Sequence, residues 1–220
     1  MAELIHGLDP DRVRANLKRV REDIAGAAQR AGREASDVEI CAAVKYVPIE
    51  ETGALLEAGV TLAGENRQQD LAARAERFGD RLTLDFIGHL QSRKVKLVLP
   101  HARLIHSVAT DSVLRQLETH GTPETEVLVE ANLSAEESKA GVTPAELDAF
   151  LERCPVRVGG LMTMPPLVDD PEASRPYFSR LRELAAERGL ARLSMGTSQD
   201  YAVAVEEGAT IVRVGTILYR

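Results

Sequence analysis

The sequence has little of what would mark a secreted, membrane-spanning or nucleic-acid-binding chain. It holds two cysteines, Cys41 and Cys154, too few for a disulfide framework. Cys41 sits in an apolar run and reads as a buried thiol. No apolar run approaches the roughly 20 residues that a membrane-spanning helix needs. The opening Met-Ala-Glu-Leu-Ile-His lacks the basic segment and apolar run of a signal peptide. Together these absences point to the cytoplasm. Basic residues are not in excess either: the net charge is −7, whereas binding a phosphate backbone needs a clustered basic surface. The short stretch Arg93-Lys94-Lys96 reads as a solvated helix face. Neither nucleic acid nor membrane is therefore expected as a partner. No Ser/Gly-rich, Pro-rich or long charged stretch offers a linker. Residues 1–220, 44% hydrophobic, are therefore read as one domain with a sizeable core.

What is present is alternation. Asp9-Pro10 supplies an N-cap and a proline at the first helical position. Val13, Leu17, Val20, Ile24 and Ala28 then recur at helical spacing until Gly32. Eight β-like runs follow, at 38–45, 60–65, 82–88, 104–109, 125–132, 156–164, 191–196 and 210–216. Helical stretches separate them. Gly59, Gly79, Gly189 and Gly208 each precede a strand, as helix-terminating glycines do. Thr143-Pro144 with Glu146 reads as a capping box, and Pro176 either starts its helix late or kinks it. Eight strands alternating with helices fit an α/β fold, either a closed (β/α)8 barrel or an open doubly wound sheet. The count favours the barrel, with one extra N-terminal helix. The dinucleotide-binding version of the open sheet wants G-x-G-x-x-G after the first strand; Lys45 is followed by Tyr-Val-Pro-Ile-Glu-Glu.

In such barrels chemistry collects at the C-terminal strand ends. Those ends here carry Lys45, Glu65-Asn66, His89-Gln91, His106-Ser107, Asn132, Thr163, Ser194 to Ser198, and Arg213 to Thr216. Alternation places Cys41, Ala43 and Lys45 on one strand face. Small residues below Lys45 leave room for its stem, and desolvation there would favour the neutral amine that attacks an aldehyde. A lysine that merely reaches out of a strand end is the plainer reading of Lys45 alone. The loops after strands seven and eight, the usual phosphate site of barrels, alter the balance. Gly196-Thr197-Ser198 leads into a helix that Ser198 would cap, and helix N-terminal amides suit a phosphate. Gly215-Thr216 adds a second glycine and a hydroxyl. An amine at strand one with two such loops suits a phosphorylated aldehyde. Arg213 shares a strand face with Gly215; a buried arginine needs a partner or a ligand, and Glu130 is the candidate partner.

Several ordered motifs carry a family resemblance. They are Ala42-Ala43-Val44-Lys45, Gly64-Glu65-Asn66-Arg67, Phe86-Ile87-Gly88-His89-Leu90-Gln91 and Glu136-Glu137-Ser138-Lys139-Ala140-Gly141. Gly160 to Pro165, Leu193 to Asp200 and Val212-Arg213-Val214-Gly215-Thr216 complete the set. In this order the sequence resembles the pyridoxal phosphate homeostasis proteins, from about residue 40 to the end. The resemblance implies the fold-type III barrel shared with the N-terminal domain of alanine racemase. It implies pyridoxal 5'-phosphate (PLP) held as a Schiff base on Lys45. Ser198, Gly215 and Thr216 would hold the phosphate, with Ser194, Met195 and Gly196 lining that side. Asn66 would lie near the ring, and Arg213 would face the pyridine nitrogen. The implied role is binding and passing on PLP, in vitamin B6 homeostasis and amino-acid balance, without robust catalysis. PLP-dependent apoenzymes and amino acids are the implied partners. The sequence departs from the commoner pattern at Val44-Lys45-Tyr46, at Met195-Gly196-Thr197-Ser198 and at the ending Leu218-Tyr219-Arg220. No ligand-type residue is lost.

Two other functions compete. One is a fold-type III racemase or decarboxylase; the other is a phosphate-binding barrel without a Schiff base. An arginine at the ring nitrogen cannot accept a proton from it, which disfavours ring protonation and weakens the ring as an electron sink. No second base is evident beyond Tyr46 and His89, both with plainer structural readings. The chain stops soon after strand eight, without the second domain of alanine racemase. The expectation is a monomeric carrier rather than an enzyme, with no metal and no catalytic residue.

Overall fold

A computed structural model describes residues 4–134 and 140–220. Eight parallel strands pair in chain order: β1 (Glu39–Ala43), β2 (Leu62–Glu65), β3 (Thr83–Phe86), β4 (Ile105–Val108), β5 (Glu126–Glu130), β6 (Arg157–Met162), β7 (Arg192–Thr197) and β8 (Ile211–Val214). β8 pairs back onto β1, from Glu39 opposite Ile211 to Ala42 opposite Val214. That last pairing closes the sheet and rules out the open alternative. Each strand falls inside the run expected for it, apart from one residue at the end of β7.

The helices are α1 (Pro10–Arg30), α2 (Thr52–Glu57), α3 (Gln68–Phe78), α4 (Val95–Val98), α5 (Asp111–His120), α6 (Leu147–Glu152), α7 (Arg175–Ala186), α8 (Tyr201–Glu206) and α9 (Thr216–Tyr219). α1 starts as expected: the Asp9 carboxylate accepts from the Asp11 amide, and Pro10 loses nothing in the first turn. Its periodic residues, Val13 to Ala28, are all buried. α1 lies against α8 and α9. There Asn16 Nδ2 donates to the Leu218 and Arg220 carbonyls at 3.1 and 3.0 Å. The N-terminal helix thus holds the segment that follows β8, on the side where that strand ends.

Strand alternation splits the core into two layers. Outward residues such as Ala42, Val44, Ala63 and Val212 pack with the helices. Cys41, Leu62, Leu104, Leu128, Met162 and Ile211 fill the lumen. The lumen is tight: a Cβ on Gly64 would stand 2.7 Å from Cys41 Sγ and 2.8 Å from Ile87 Cδ1. Cys41 and Cys154 are both free.

Of the glycine, capping-box and proline expectations one is corrected, at Thr143. Gly59, Gly189 and Gly208 adopt left-handed φ values of +91°, +63° and +102°, and Gly79 ends α3 with φ −63°. Thr143 does not cap α6: the helix begins only at Leu147, and Thr143 Oγ1 donates to the Glu146 carboxylate at 2.6 Å. Pro176 lies in the first turn of α7 and starts it without a kink. The expected motif at Glu136–Gly141 lies largely outside the described residues. Among those described, no helix is long and apolar enough to cross a membrane.

Candidate functional site

At the C-terminal rim a cavity of about 400 Å³ opens over β1, β2 and β8. Lys45, Asn66, Ser198, Arg213, Gly215 and Thr216 all line it. Six of the nine expected site residues therefore meet in one place, from four separate loops and strand ends.

Lys45 follows the end of β1 and is exposed. Its Nζ sits 4.7 Å from the Tyr46 ring centroid. The walls do not bury it, so the desolvation expected from the sequence is not supplied by the protein alone. What the protein supplies is position. The Arg74 guanidinium donates to the Val44 and Val47 carbonyls on either side of Lys45. The same group donates to Thr52 Oγ1 and, at 2.8 Å, to Glu65. The other Glu65 oxygen accepts from the Asn66 amide at 3.1 Å. Glu65 and Arg74 are each 1% exposed. Burial pushes the Glu65 carboxyl above its ordinary range, opposed by the hydrogen bond and charge of Arg74. One buried ion pair thus fixes the loop bearing Lys45 and the residue Asn66 together. It was not anticipated from the sequence. The available signal was Arg74 itself, placed between Leu71 and Phe78 on the core-facing stripe of α3.

Asn66 brings an open valence. Its Oδ1 is buried and has no hydrogen-bond partner among the described residues. Buried carbonyl oxygens are nearly always paired, so this one is poised to accept from a ligand or a water.

The phosphate-side loops are joined differently from the expectation. Ser198 does not cap α8, which begins at Tyr201. Its Oγ accepts from the Gly215 amide at 2.9 Å and ties the β7–α8 loop to the β8–α9 loop. Asp200 closes the turn, accepting from the Thr197 amide at 2.7 Å. Thr216 opens α9, and the first amides of a helix have no intrahelical acceptor. Gly215 has room: a Cβ there would meet nothing closer than the Ala43 carbonyl at 3.5 Å.

Three expected residues do not line the cavity. Met195 is fully buried in the outer, helix-facing layer, so its side chain points away from the lumen. Gly196, with φ +88°, lets α8 approach; a Cβ there would stand 2.5 Å from Ala204 Cβ. Ser194 faces the lumen but lies beneath Arg213, whose Nη1 donates to its Oγ at 2.5 Å. Arg213 also donates to the Thr163 carbonyl at 3.0 Å and approaches Met164 Sδ at 2.9 Å. The expected ion pair with Glu130 does not form: none of these bonds goes to a carboxylate. Glu130 is buried, which raises its carboxyl against the pull of Arg213 and His89.

The alanine racemase N-terminal domain family model matches residues 8–220. A pyridoxal phosphate homeostasis protein of Aquifex aeolicus is 41% identical, over 92% of this chain and 95% of its own. The chain belongs to the pyridoxal phosphate homeostasis protein family. A protein of unknown function from Bifidobacterium adolescentis has a solved structure that superposes with TM-score 0.85 at 34% identity. It covers 99% of this chain and 98% of its own. The structure of PipY from Synechococcus elongatus with PLP bound superposes with TM-score 0.75 at 30% identity, over 91% of this chain and all of its own. Among the described residues, the cavity at the C-terminal rim is lined by an amine, an amide carbonyl with no hydrogen-bond partner, two hydroxyls, a glycine backbone and an arginine not bonded to a carboxylate.

Proposed function

We propose that the chain binds PLP through a Schiff base on Lys45 and acts as a carrier in cytoplasmic vitamin B6 homeostasis and amino-acid balance. The observation that carries this reading is the convergence of Lys45, Asn66, Ser198, Arg213 and Thr216 on one cavity of about 400 Å³. Bound there, PLP would supply an aldehyde that the lysine holds covalently. Ser198 and Thr216 suit the phosphate because their hydroxyls place donors close to an anion, and Gly215, whose amide donates to Ser198 Oγ, leaves room for it. Asn66 Oδ1 suits a donor on the ligand. Arg213 suits the pyridine nitrogen: a guanidinium donates and cannot accept a proton, so it favours the unprotonated ring. That is a weak electron sink, which fits holding better than turnover.

The fit of the donor set also speaks for the assignment of Lys45 as the covalent anchor. Arg74 fixes the carbonyls that flank it, so the amine leaves the backbone from a defined point. Proximity of this kind lowers the entropic cost of forming a covalent link. The same reading takes the working unit to be a monomer of residues 1–220 and the recipients of the cofactor to be PLP-dependent apoenzymes.

The test is a visible absorption spectrum of the protein mixed with PLP, followed by borohydride reduction and peptide mapping. A long-wavelength band and a label on Lys45 are expected, and Lys45→Ala should abolish both. A band that survives in Lys45→Ala would overturn the assignment. Incubation with alanine and other amino acids should give no turnover; racemisation or decarboxylation at ordinary enzyme rates would make the chain an enzyme.

A further inference from the structure

Below the cavity a row of buried polar groups runs down the barrel lumen. Arg213 Nη1 lies 2.5 Å from Ser194 Oγ. Ser194 Oγ lies 2.8 Å from His106 Nδ1, and His106 Nε2 lies 3.1 Å from an Asp85 oxygen. Asp85 in turn accepts from Arg103 Nε at 2.9 Å and Nη2 at 2.7 Å. Ser194, His106 and Asp85 are 0% exposed. They come from β7, β4 and β3, so the row crosses the interior rather than following one strand.

A guanidinium has donors only. Ser194 therefore accepts from Arg213, but its second lone pair leaves the direction of its bond to His106 open. The far end of the row fixes it. The Asp85 carboxylate only accepts, from Arg103 and from the ring, so His106 Nε2 carries a proton. In the neutral ring that proton is the only one, and Nδ1 then accepts from the Ser194 hydroxyl. Burial favours that neutral ring by pulling the His106 pKa down, against the hydrogen bond and charge of Asp85. Asp85 is held below the ordinary carboxylate range: burial pushes it up, and the hydrogen bonds from His106 and Arg103 outweigh that. The carboxylate is anchored at the floor by Arg103, which also donates to Glu39 at 2.6 Å.

We propose that Ser194, His106 and Asp85 are positioning residues: they fix the rotation of the Arg213 guanidinium, and so the direction of the donors it turns toward a ligand in the rim cavity. This rests on the reading of that cavity as the PLP site. Ser194 thereby acquires a role other than lining the phosphate. Three of the five Arg213 N–H groups have protein partners in Ser194, Thr163 and Met164. With the serine hydroxyl gone, Nη1 loses its anchor at the lumen end, and the planar group is free to tilt about its remaining bonds. A hydrogen bond to a charged group is worth about tenfold to a hundredfold in an equilibrium constant. Loss of this anchor is accordingly expected to weaken PLP binding by about tenfold.

The experiment compares wild type, Ser194→Ala, Ser194→Thr and His106→Gln. PLP affinity and the position of the bound-cofactor band are measured for each, with Lys45→Ala as the control for the covalent site. Thermal unfolding without PLP checks that each variant is folded. Ser194→Ala and His106→Gln should bind PLP about tenfold more weakly with a displaced band, and Ser194→Thr should restore both. If wild type shows a Lys45-dependent band while Ser194→Ala and His106→Gln match it in affinity and spectrum, the positioning role is wrong and the PLP site stands. If wild type shows no such band, the site assignment fails instead. The row itself is tested without any ligand by nitrogen-15 NMR of the histidine ring. His106 should be the neutral Nε2–H tautomer; a charged ring or an Nδ1–H tautomer would overturn the proposal whatever PLP does.

Discussion

Replacing Arg74 by methionine should cost more stability than any surface change in this chain, and the cost should shrink in acid. The substitution leaves Glu65 buried at 1% exposure with the Asn66 amide as its remaining donor among the described residues. Breaking a buried ion pair by deleting one partner costs about 3–5 kcal/mol. For a chain of this size each kcal/mol lowers the melting temperature by about 2–4 °C, so a fall of roughly 6–20 °C is expected. Burial already raises the folded-state pKa of Glu65, and Arg74 is the chief group opposing it. Without Arg74 the rise is larger. A carboxyl whose folded pKa lies above its unfolded value binds a proton more readily when folded, so stability is gained as pH falls toward the unfolded value of about 4.3. Urea unfolding followed by circular dichroism at pH 7.5 and pH 5 measures both effects. The variant should close part of its gap to wild type at pH 5. The double change Glu65→Leu with Arg74→Met should recover part of the loss, because a paired apolar replacement leaves no charge stranded. A single-variant loss under about 1 kcal/mol, or one that is equal at both pH values, would refute the account of this pair.

Other outcomes follow from the same geometry. Gly196→Ala forces a Cβ to within 2.5 Å of Ala204 at a φ of +88°. Strain and overpacking together should cost about 2–4 kcal/mol, read by the same unfolding assay. Ser198→Ala combined with Thr216→Ala should weaken PLP affinity, measured by titration of the visible band; unchanged affinity would place the phosphate elsewhere. A thiol-specific reagent should label Cys154 well before Cys41. Cys41 is fully buried and its thiol is pushed well up by that burial, whereas Cys154 is partly accessible. Equal labelling rates in the native protein would contradict the filled lumen. Saturating PLP at 100 times its dissociation constant should stabilise the fold by about 2.7 kcal/mol. Scanning calorimetry would register this as a raised melting temperature in wild type.

The barrel was legible because its signals are local. A strand shows itself by alternation over a few residues, and the order of eight such runs fixes a right-handed parallel winding. The rim was legible for the same reason, since each strand end can be read from its own run. The failures occur where a residue's partner is distant or where two local rules compete. Ser194 and His106 are separated by 88 positions, and no sequence periodicity links β4 to β7. Glu65 and Arg74 are nine positions apart but on different elements, so their pairing depends on how α3 packs over β2. Ser198 has a cap-forming side chain, but Asp200 stands two residues closer to the helix and closes the turn with Thr197. Met195 could have been assigned outward by parity. Ser194 precedes it on β7 and faces the lumen, and inward and outward positions alternate along a strand.

The distribution of charge along the barrel axis gives the clearest physical reason for a ligand at the rim. At the floor, arginines and carboxylates neutralise one another. Arg103 meets Glu39 and Asp85, and Arg192 meets Glu126 at 3.0 Å and Glu39 at 3.4 Å. At the rim, the Arg213 guanidinium is 6% exposed and its bonds run to a hydroxyl, a carbonyl and a thioether. A buried cation without a hydrogen-bonded anion is costly, in a chain that carries −7 overall. Glu130 and Asp200 act on Arg213 through their charge, against the burial that lowers its pKa, but neither is among its hydrogen-bond partners in the described residues. A barrel arranged only for stability would repeat at the rim the pairing found at the floor. An Arg213 guanidinium with no bonded carboxylate among the described residues leaves the free cavity less stable and an electron-rich ligand better bound, as the proposed PLP site requires.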